Sequence, residues 1–126
     1  MIQEYILDSN ILIYLSKGDQ KIEKKLSNLR REYFFVSTVS VVGVLIGEKD
    51  KAESERLKQM VRQFVPLDLR SEIAEKAVAL AHKSKKKLKF KDLLIAATAL
   101  VEGLTLVTAD KDFKSIPNLK LKLLSL

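Results

Sequence analysis

The sequence predicts an α/β fold with a small, mainly parallel sheet. Short apolar runs of strand length alternate with stretches of helical period along most of the chain. The stretch Leu104 to Phe113 (LTLVTADKDF) passes from an apolar run into a threonine and then two acids, Asp110 and Asp112. The amino-terminal run Tyr5-Ile6-Leu7 passes into Asp8-Ser9-Asn10 in the same way. Two strands that each end near an aspartate suggest one shared site, because open parallel sheets bind ligands in the crevice outside the carboxyl ends of their strands.

The elements follow in order. Ile2 to Leu7 is the first strand candidate. Ser9 or Asn10 is placed to cap a short helix over Ile11 to Ser16. Lys17-Gly18-Asp19 breaks that helix, and Asp19 can cap a second from Gln20 to Arg31, with Ile22, Leu26 and Leu29 at helical spacing. Tyr33 to Ser37 (YFFVS) reads as a buried strand. Thr38-Val39-Ser40 opens a helix that runs to Gly47, a natural stop. Lys49 to Phe64 is charged and helical, with Leu57, Met60, Val61 and Phe64 as its stripe. Val65-Pro66-Leu67 is briefly extended. Ser71 opens a helix with Ile73, Ala77, Leu80 and Ala81 on one face.

The run HKSKKKLKFK, residues 82 to 91, interrupts the amphipathic pattern. Asp92 then opens a buried helix to Val101 (DLLIAATALV), which Gly103 ends. A strand over Leu104 to Val107, a short turn or helix over Asp110 to Ser115, and a turn at Pro117-Asn118 follow. Leu119 to Leu123 alternates leucine and lysine, as an edge strand would. No internal repeat or linker divides the 126 residues, so the expectation is a single domain over residues 1–126.

Composition narrows the class. With 47% hydrophobic residues the chain can bury a core, and without cysteine it has neither disulfides nor thiolate metal sites. No apolar run reaches the roughly 20 residues of a membrane helix. The start MIQEYILDSN has no basic region of the kind that precedes a secretory signal, so a soluble cytoplasmic protein with no membrane association is expected. The formal charge of +7 favours a polyanion such as nucleic acid, or an acidic protein, although lysine-rich surfaces also occur in proteins adapted to heat.

Taken singly, Asp8, Asp92 and Asp110 can each be explained as a helix or turn cap. Together they point to a cation, because clustered carboxylates repel unless a charge compensates them. Only oxygen ligands are on offer, since His82 stands alone near a helix end. Oxygen sets suit Mg²⁺ or Mn²⁺. A carboxylate-held metal suits phosphodiester hydrolysis.

The segments LDSNILIYL, DLLIAATAL and LVTADKDF, in this order, resemble the PIN-domain ribonucleases, and most of all the VapC-type toxins of prokaryotic toxin–antitoxin systems. The resemblance covers almost the whole chain, and the three motifs together are more specific than any one. It implies a compact α/β/α sandwich around a parallel sheet and Mg²⁺- or Mn²⁺-dependent endonuclease activity on RNA. Homodimers and neutralisation by a cognate antitoxin protein are also implied. Matched by motif, the first acid is Asp8, the third Asp92 and the fourth Asp110, and these would be the catalytic and metal-binding residues. Asn10 and Thr108 match the flanking polar residues, and Asp112 is either an accessory carboxylate or a turn residue.

The second acid is missing. The family carries a glutamate in the helix after the second strand, and in the stretch Ser37 to Gly47 its place falls to Gly43. Glu48 cannot replace it: five residues on, it lies about 500° around the helix, hence about 140° from the Gly43 direction. A mid-helix glycine costs roughly 1 kcal/mol relative to alanine. Close helix packing, natural loss of activity, or a substitution that removes toxicity would each account for it. The intact remaining motifs favour the last.

The lysine run supplies Lys83, Lys85, Lys86, Lys87, Lys89 and Lys91 immediately before Asp92. As a solvated loop it needs no further role. Beside an acid site, Lys85, Lys86, Lys87, Lys89 and Lys91 read as phosphate contacts for RNA. Phe90 between them is expected to anchor in the core, with base stacking as the alternative. The main rival function is a catalytically silent PIN-like module that binds RNA or protein. A carboxylate–Mg²⁺ phosphotransfer domain fits less well, because no phosphate-cradling glycine loop flanks Asp8.

Overall fold

The computed structural model describes residues 3–31 and 33–125. Its strands are β1 (Tyr5–Leu7), β2 (Phe34–Ser37), β3 (Val65–Leu67), β4 (Thr105–Thr108) and β5 (Leu121–Leu123). They form one sheet in the order β3-β2-β1-β4-β5, with every neighbouring pair parallel. The chain lays down β1, β2 and β3 toward one edge, then returns to add β4 and β5 on the other side of β1. The order therefore reverses between β1 and β4, and that is where a doubly wound sheet opens a crevice at its carboxyl ends.

The connections supply helices α1 (Ser9–Ser16), α2 (Gln20–Ser27), α3 (Thr38–Gly47), α4 (Lys51–Val61), α5 (Ser71–Lys83) and α6 (Phe90–Glu102), and a 3-10 turn covers Lys111–Ser115. Strand side chains alternate between faces, and the core divides accordingly. Ile6 and Leu106 face α5 and α6, packing with Ile73, Leu80 and Ile95. Tyr5, Leu7 and Val107 face the other way and pack with Ile11, Ile22, Val44 and Leu57 of α1 to α4. The result is the expected three-layer α/β/α sandwich.

Boundaries move for local reasons. Ile2 of the expected first strand lies outside the described residues. Helix α2 stops at Ser27 rather than Arg31, because the chain turns at Asn28 and the Leu29 N–H donates back to the Leu26 carbonyl. Helix α4 starts at Lys51 rather than Lys49, because Asp50 caps it through the N–H groups of Ala52 and Glu53. Ala81 is exposed rather than on the buried face of α5. Gly103 ends α6 in the left-handed region, at φ 70°, as a C-terminal glycine is expected to. β5 is an edge strand, and Pro66 lies on the opposite edge, β3, where a missing N–H is tolerated. None of the described helices is long and apolar enough to cross a membrane.

Candidate acid site at the sheet switch point

Asp8 leaves the end of β1 and is itself the cap of α1, so the expected capping by Ser9 or Asn10 is corrected. Its Oδ1 accepts from the Ser9 N–H at 2.8 Å. Its Oδ2 accepts from Thr108 Oγ1 at 2.7 Å. An apolar strand run feeds directly into a helix here, so the first side chain after the strand is left among core atoms, and Asp8 is only 6% exposed. Burial is the main force raising its pKa above the ordinary aspartate value. The Thr108 and Ser9 hydrogen bonds oppose that shift, the Asp110 charge adds to it, and the Lys91 charge opposes it.

Thr108 ends β4 and is fully buried. Besides donating to Asp8, its hydroxyl accepts from the Asp110 N–H at 3.1 Å and from Asn10 Nδ2 at 3.4 Å. Asn10 Oδ1 in turn accepts from the Ala109 N–H at 3.4 Å. Asn10 and Thr108 thus stitch the two strand ends together. Asp110 caps the 3-10 turn, its Oδ1 accepting from the Asp112 N–H at 2.8 Å.

Asp92 comes from the opposite side of the sheet, on α6. The sequence places it at the head of that helix. Instead Lys89 stands at the N-cap without a side-chain capping bond, and Asp92 is the third helical residue. Its carboxylate is therefore not consumed by capping. Burial raises its pKa, followed by the charges of Asp8 and Asp110; Lys89 opposes the shift and Asp112 adds to it. Asp8, Asp92 and Asp110 thus act on one another electrostatically across the crevice between β1 and β4.

The chemistry of this donor set suits a hard divalent cation: every ligand is a carboxylate or hydroxyl oxygen. The spacing does not yet close on one. Among the described residues, no three His, Cys, Asp or Glu side chains stand close enough together to hold a metal ion.

Gly43 lies within α3, on the side toward α6. A Cβ built there would meet only one side chain, Lys91, with Nζ at 3.3 Å and Cδ at 3.6 Å. Close packing of backbone against backbone therefore does not explain this glycine. Glu48 does not fill the position: it caps α3 at its carboxyl end, and its Oε1 accepts from the Asp50 N–H at 3.0 Å.

The remaining lysines surround the loop between α5 and α6. Lys83, Lys85 and Lys86, with Lys114 from the 3-10 turn, rim a cleft of about 440 Å³ floored by Leu88 and Ile116. Lys86 pairs with Asp112, which ties this loop to the turn after Asp110. Lys87 lines an adjoining hollow of about 370 Å³ with Lys85 and Lys86. Lys114 was not marked by the sequence pattern, since it sits alone among turn residues. Phe90 is 74% exposed, which corrects the expectation of a core anchor: it is the first residue of α6 and points away from the sheet layers. His82 is exposed in the last turn of α5.

Comparison with known proteins agrees with this fold. The PIN domain family profile matches residues 5–119. The chain is 30% identical over 84 residues to ribonuclease VapC4 of Mycobacterium tuberculosis (strain ATCC 25618 / H37Rv), covering 63% of this chain and 65% of that protein. It is also similar to a chain of a toxin–antitoxin complex from Klebsiella pneumoniae, at 29% identity, TM-score 0.83, and coverage of 97% and 99% of the two chains. A chain of VapBC2 from Rickettsia felis, solved bound to a DNA fragment from their promoter, gives 25% identity and TM-score 0.84, with 98% and 100% covered.

Proposed function

The chain belongs to the PIN domain family, and from that premise we propose that it is a metal-dependent endoribonuclease, the toxin of a VapBC-type toxin–antitoxin pair. The observation that carries this reading is the convergence of Asp8, Asp92 and Asp110, from three separate segments, on the crevice where the sheet order reverses. Similarity to a ribonuclease and to chains from toxin–antitoxin complexes supports the same reading.

In this proposal Asp8, Asp92 and Asp110 would be the residues that hold Mg²⁺ or Mn²⁺. Bound there, the ion supplies Lewis-acid charge for hydrolysis of an RNA phosphodiester. The Thr108 hydroxyl and the Ser9 N–H donate to the Asp8 carboxylate, and Asn10 in turn donates to Thr108, so the direction of Asp8 does not depend on a ligand. Asp112 acts outside this set: its carboxylate is engaged by Lys86, and its part is to hold the lysine loop against the acid turn. Lys85, Lys86 and Lys87, which line the hollows of the loop before α6, and Lys89 at the start of that helix neutralise RNA phosphates. Val42 and Ile46 leave an apolar stripe of α3 exposed, and such a surface suits a second copy of the chain or an antitoxin segment.

The second reading, a silent PIN-like module that binds RNA or protein, rests on Gly43, which removes one carboxylate from the site. One experiment separates the two. The chain and its Gly43→Glu variant are incubated with structured and unstructured RNA, with Mg²⁺ or Mn²⁺ and with EDTA. EDTA-sensitive cleavage that rises in the variant supports a ribonuclease lacking one ligand. Equal EDTA-sensitive cleavage by both means that three aspartates suffice. No cleavage by either, with RNA or protein binding retained, establishes the silent module.

A further inference from the structure

Lys91, in the first turn of α6, extends its side chain toward Gly43 of α3. Its Nζ would lie 3.3 Å from a Cβ at Gly43, so the ammonium fills the space that a side chain at position 43 would enter. Its charge acts on Asp8, the most buried of the three acids. Helices α3 and α6 pack directly against each other, which places position 43 beside position 91. A positive group beside mutually repelling carboxylates lowers the cost of holding them together in the absence of any ion, and by the same charge disfavours a divalent cation.

We infer that Lys91 is a built-in counter-cation of the acid site: its ammonium occupies the room left by Gly43 and compensates the buried carboxylate of Asp8. The inference rests on the reading of these acids as one cation site, but not on whether that site cleaves RNA. Lys91 is a positioning residue, acting through the acids. Its side chain is also open to solvent, so its effect is screened and depends on salt.

The test uses the full chain and its Lys91→Met and Lys91→Arg variants, without RNA. Thermal unfolding is followed in EDTA and in saturating Mn²⁺, and Mn²⁺ affinity is measured by titration calorimetry at low salt. In EDTA, Lys91→Met is expected to melt below the unsubstituted chain and to gain more from Mn²⁺. It is also expected to bind Mn²⁺ roughly threefold to tenfold more tightly, as loss of one screened unit charge near a divalent ion implies. Lys91→Arg, which keeps the charge, is expected to match the unsubstituted chain in each measurement. Equal Mn²⁺ affinity and equal melting of Lys91→Met and the unsubstituted chain overturn the inference. A Lys91→Met chain that folds only with Mn²⁺ supports it. One that folds under neither condition assigns Lys91 to packing and overturns it. If no variant binds Mn²⁺, the metal reading of the site fails, and the melting difference in EDTA still decides the role of Lys91.

Discussion

Thr108 Oγ1 donates to Asp8 Oδ2 at 2.7 Å, joining the ends of β4 and β1 across 100 residues of sequence. The same hydroxyl accepts from Asn10 Nδ2 and from the Asp110 N–H, so one buried atom coordinates three groups around the acids. Thr108→Val keeps the shape but leaves the Asp8 carboxylate and these donors short of a partner. A loss of about 1 to 3 kcal/mol is expected, the usual cost of orphaning buried polar groups. Urea unfolding measures it, and Thr108→Ser is expected to recover most of the loss. A Val variant as stable as the parent would remove the hydroxyl from this role.

The acids set a pH dependence whose sign follows from their shifts. The folded-state pKa of Asp92 is raised by burial and by Asp8 and Asp110. Between the unfolded and the folded pKa the folded chain holds more protons, so stability falls as pH rises through that window and stays lower above it. Below the unfolded value this penalty is absent. In EDTA, Asp92→Asn is therefore expected to be the more stable chain at neutral pH, with the difference vanishing toward pH 3. Asp92 is only partly buried, so solvent screening keeps the gain small. Denaturation curves at a series of pH values check it; a variant less stable than the parent at neutral pH contradicts the assigned repulsion.

Gly43 offers a separate stability test. Alanine in a helix interior is favoured over glycine by roughly 1 kcal/mol. The added methyl would meet only the movable tip of Lys91, at 3.3 Å from Nζ. Gly43→Ala is expected to stabilise the chain by about 0.5 to 1 kcal/mol in urea unfolding. A net loss would show that the Lys91 ammonium is held firmly where it stands.

The parts of this site legible in the sequence are those fixed by short-range pattern. An apolar run ending in Thr-Ala-Asp or directly in Asp marks a strand end, and two such ends on parallel strands must lie on one side of a sheet. That pattern alone puts Asp8 and Asp110 at the same edge of the sheet. Asp92 was legible as an acid at the start of an apolar helix, but its exact turn was not: the helix begins two residues earlier, at Phe90. Lys91 and Lys114 were illegible as neighbours of particular groups. Where a long flexible side chain ends is set by how α3 packs on α6 and how the 3-10 turn lies against the loop, and neither leaves a mark in local composition. Phe90 failed for a related reason: hydrophobicity alone does not say which side of a helix start faces the sheet.

The lysine loop predicts a salt signature. Lys85 and Lys86 line two adjoining hollows, and Lys87 lines one of them. If each neutralises one phosphate, replacing all three with glutamine lowers the magnitude of the slope of log K against log salt for single-stranded RNA by about 2, at roughly 0.7 per contact. Fluorescence anisotropy across a salt series measures the slope. An unchanged slope would return the loop to solvent.

Phe90 is an exposed aromatic that packing in the fold does not explain. At 74% exposure it contributes little to the core, so Phe90→Ala is expected to change unfolding stability by no more than about 0.5 kcal/mol. It stands between Lys89 and Lys91, at the start of the helix that carries Asp92. An exposed aromatic beside a cation such as Lys89 is suited to stack an unpaired base, and such a stack contributes about 1 to 3 kcal/mol. Phe90→Ala should then weaken single-stranded RNA binding by roughly fivefold or more with the salt slope unchanged, because stacking releases no counterions. Duplex RNA, whose bases are already stacked, should bind both chains alike. Weakened duplex binding, or a variant that loses fold stability, would place Phe90 in an interface or in the core instead.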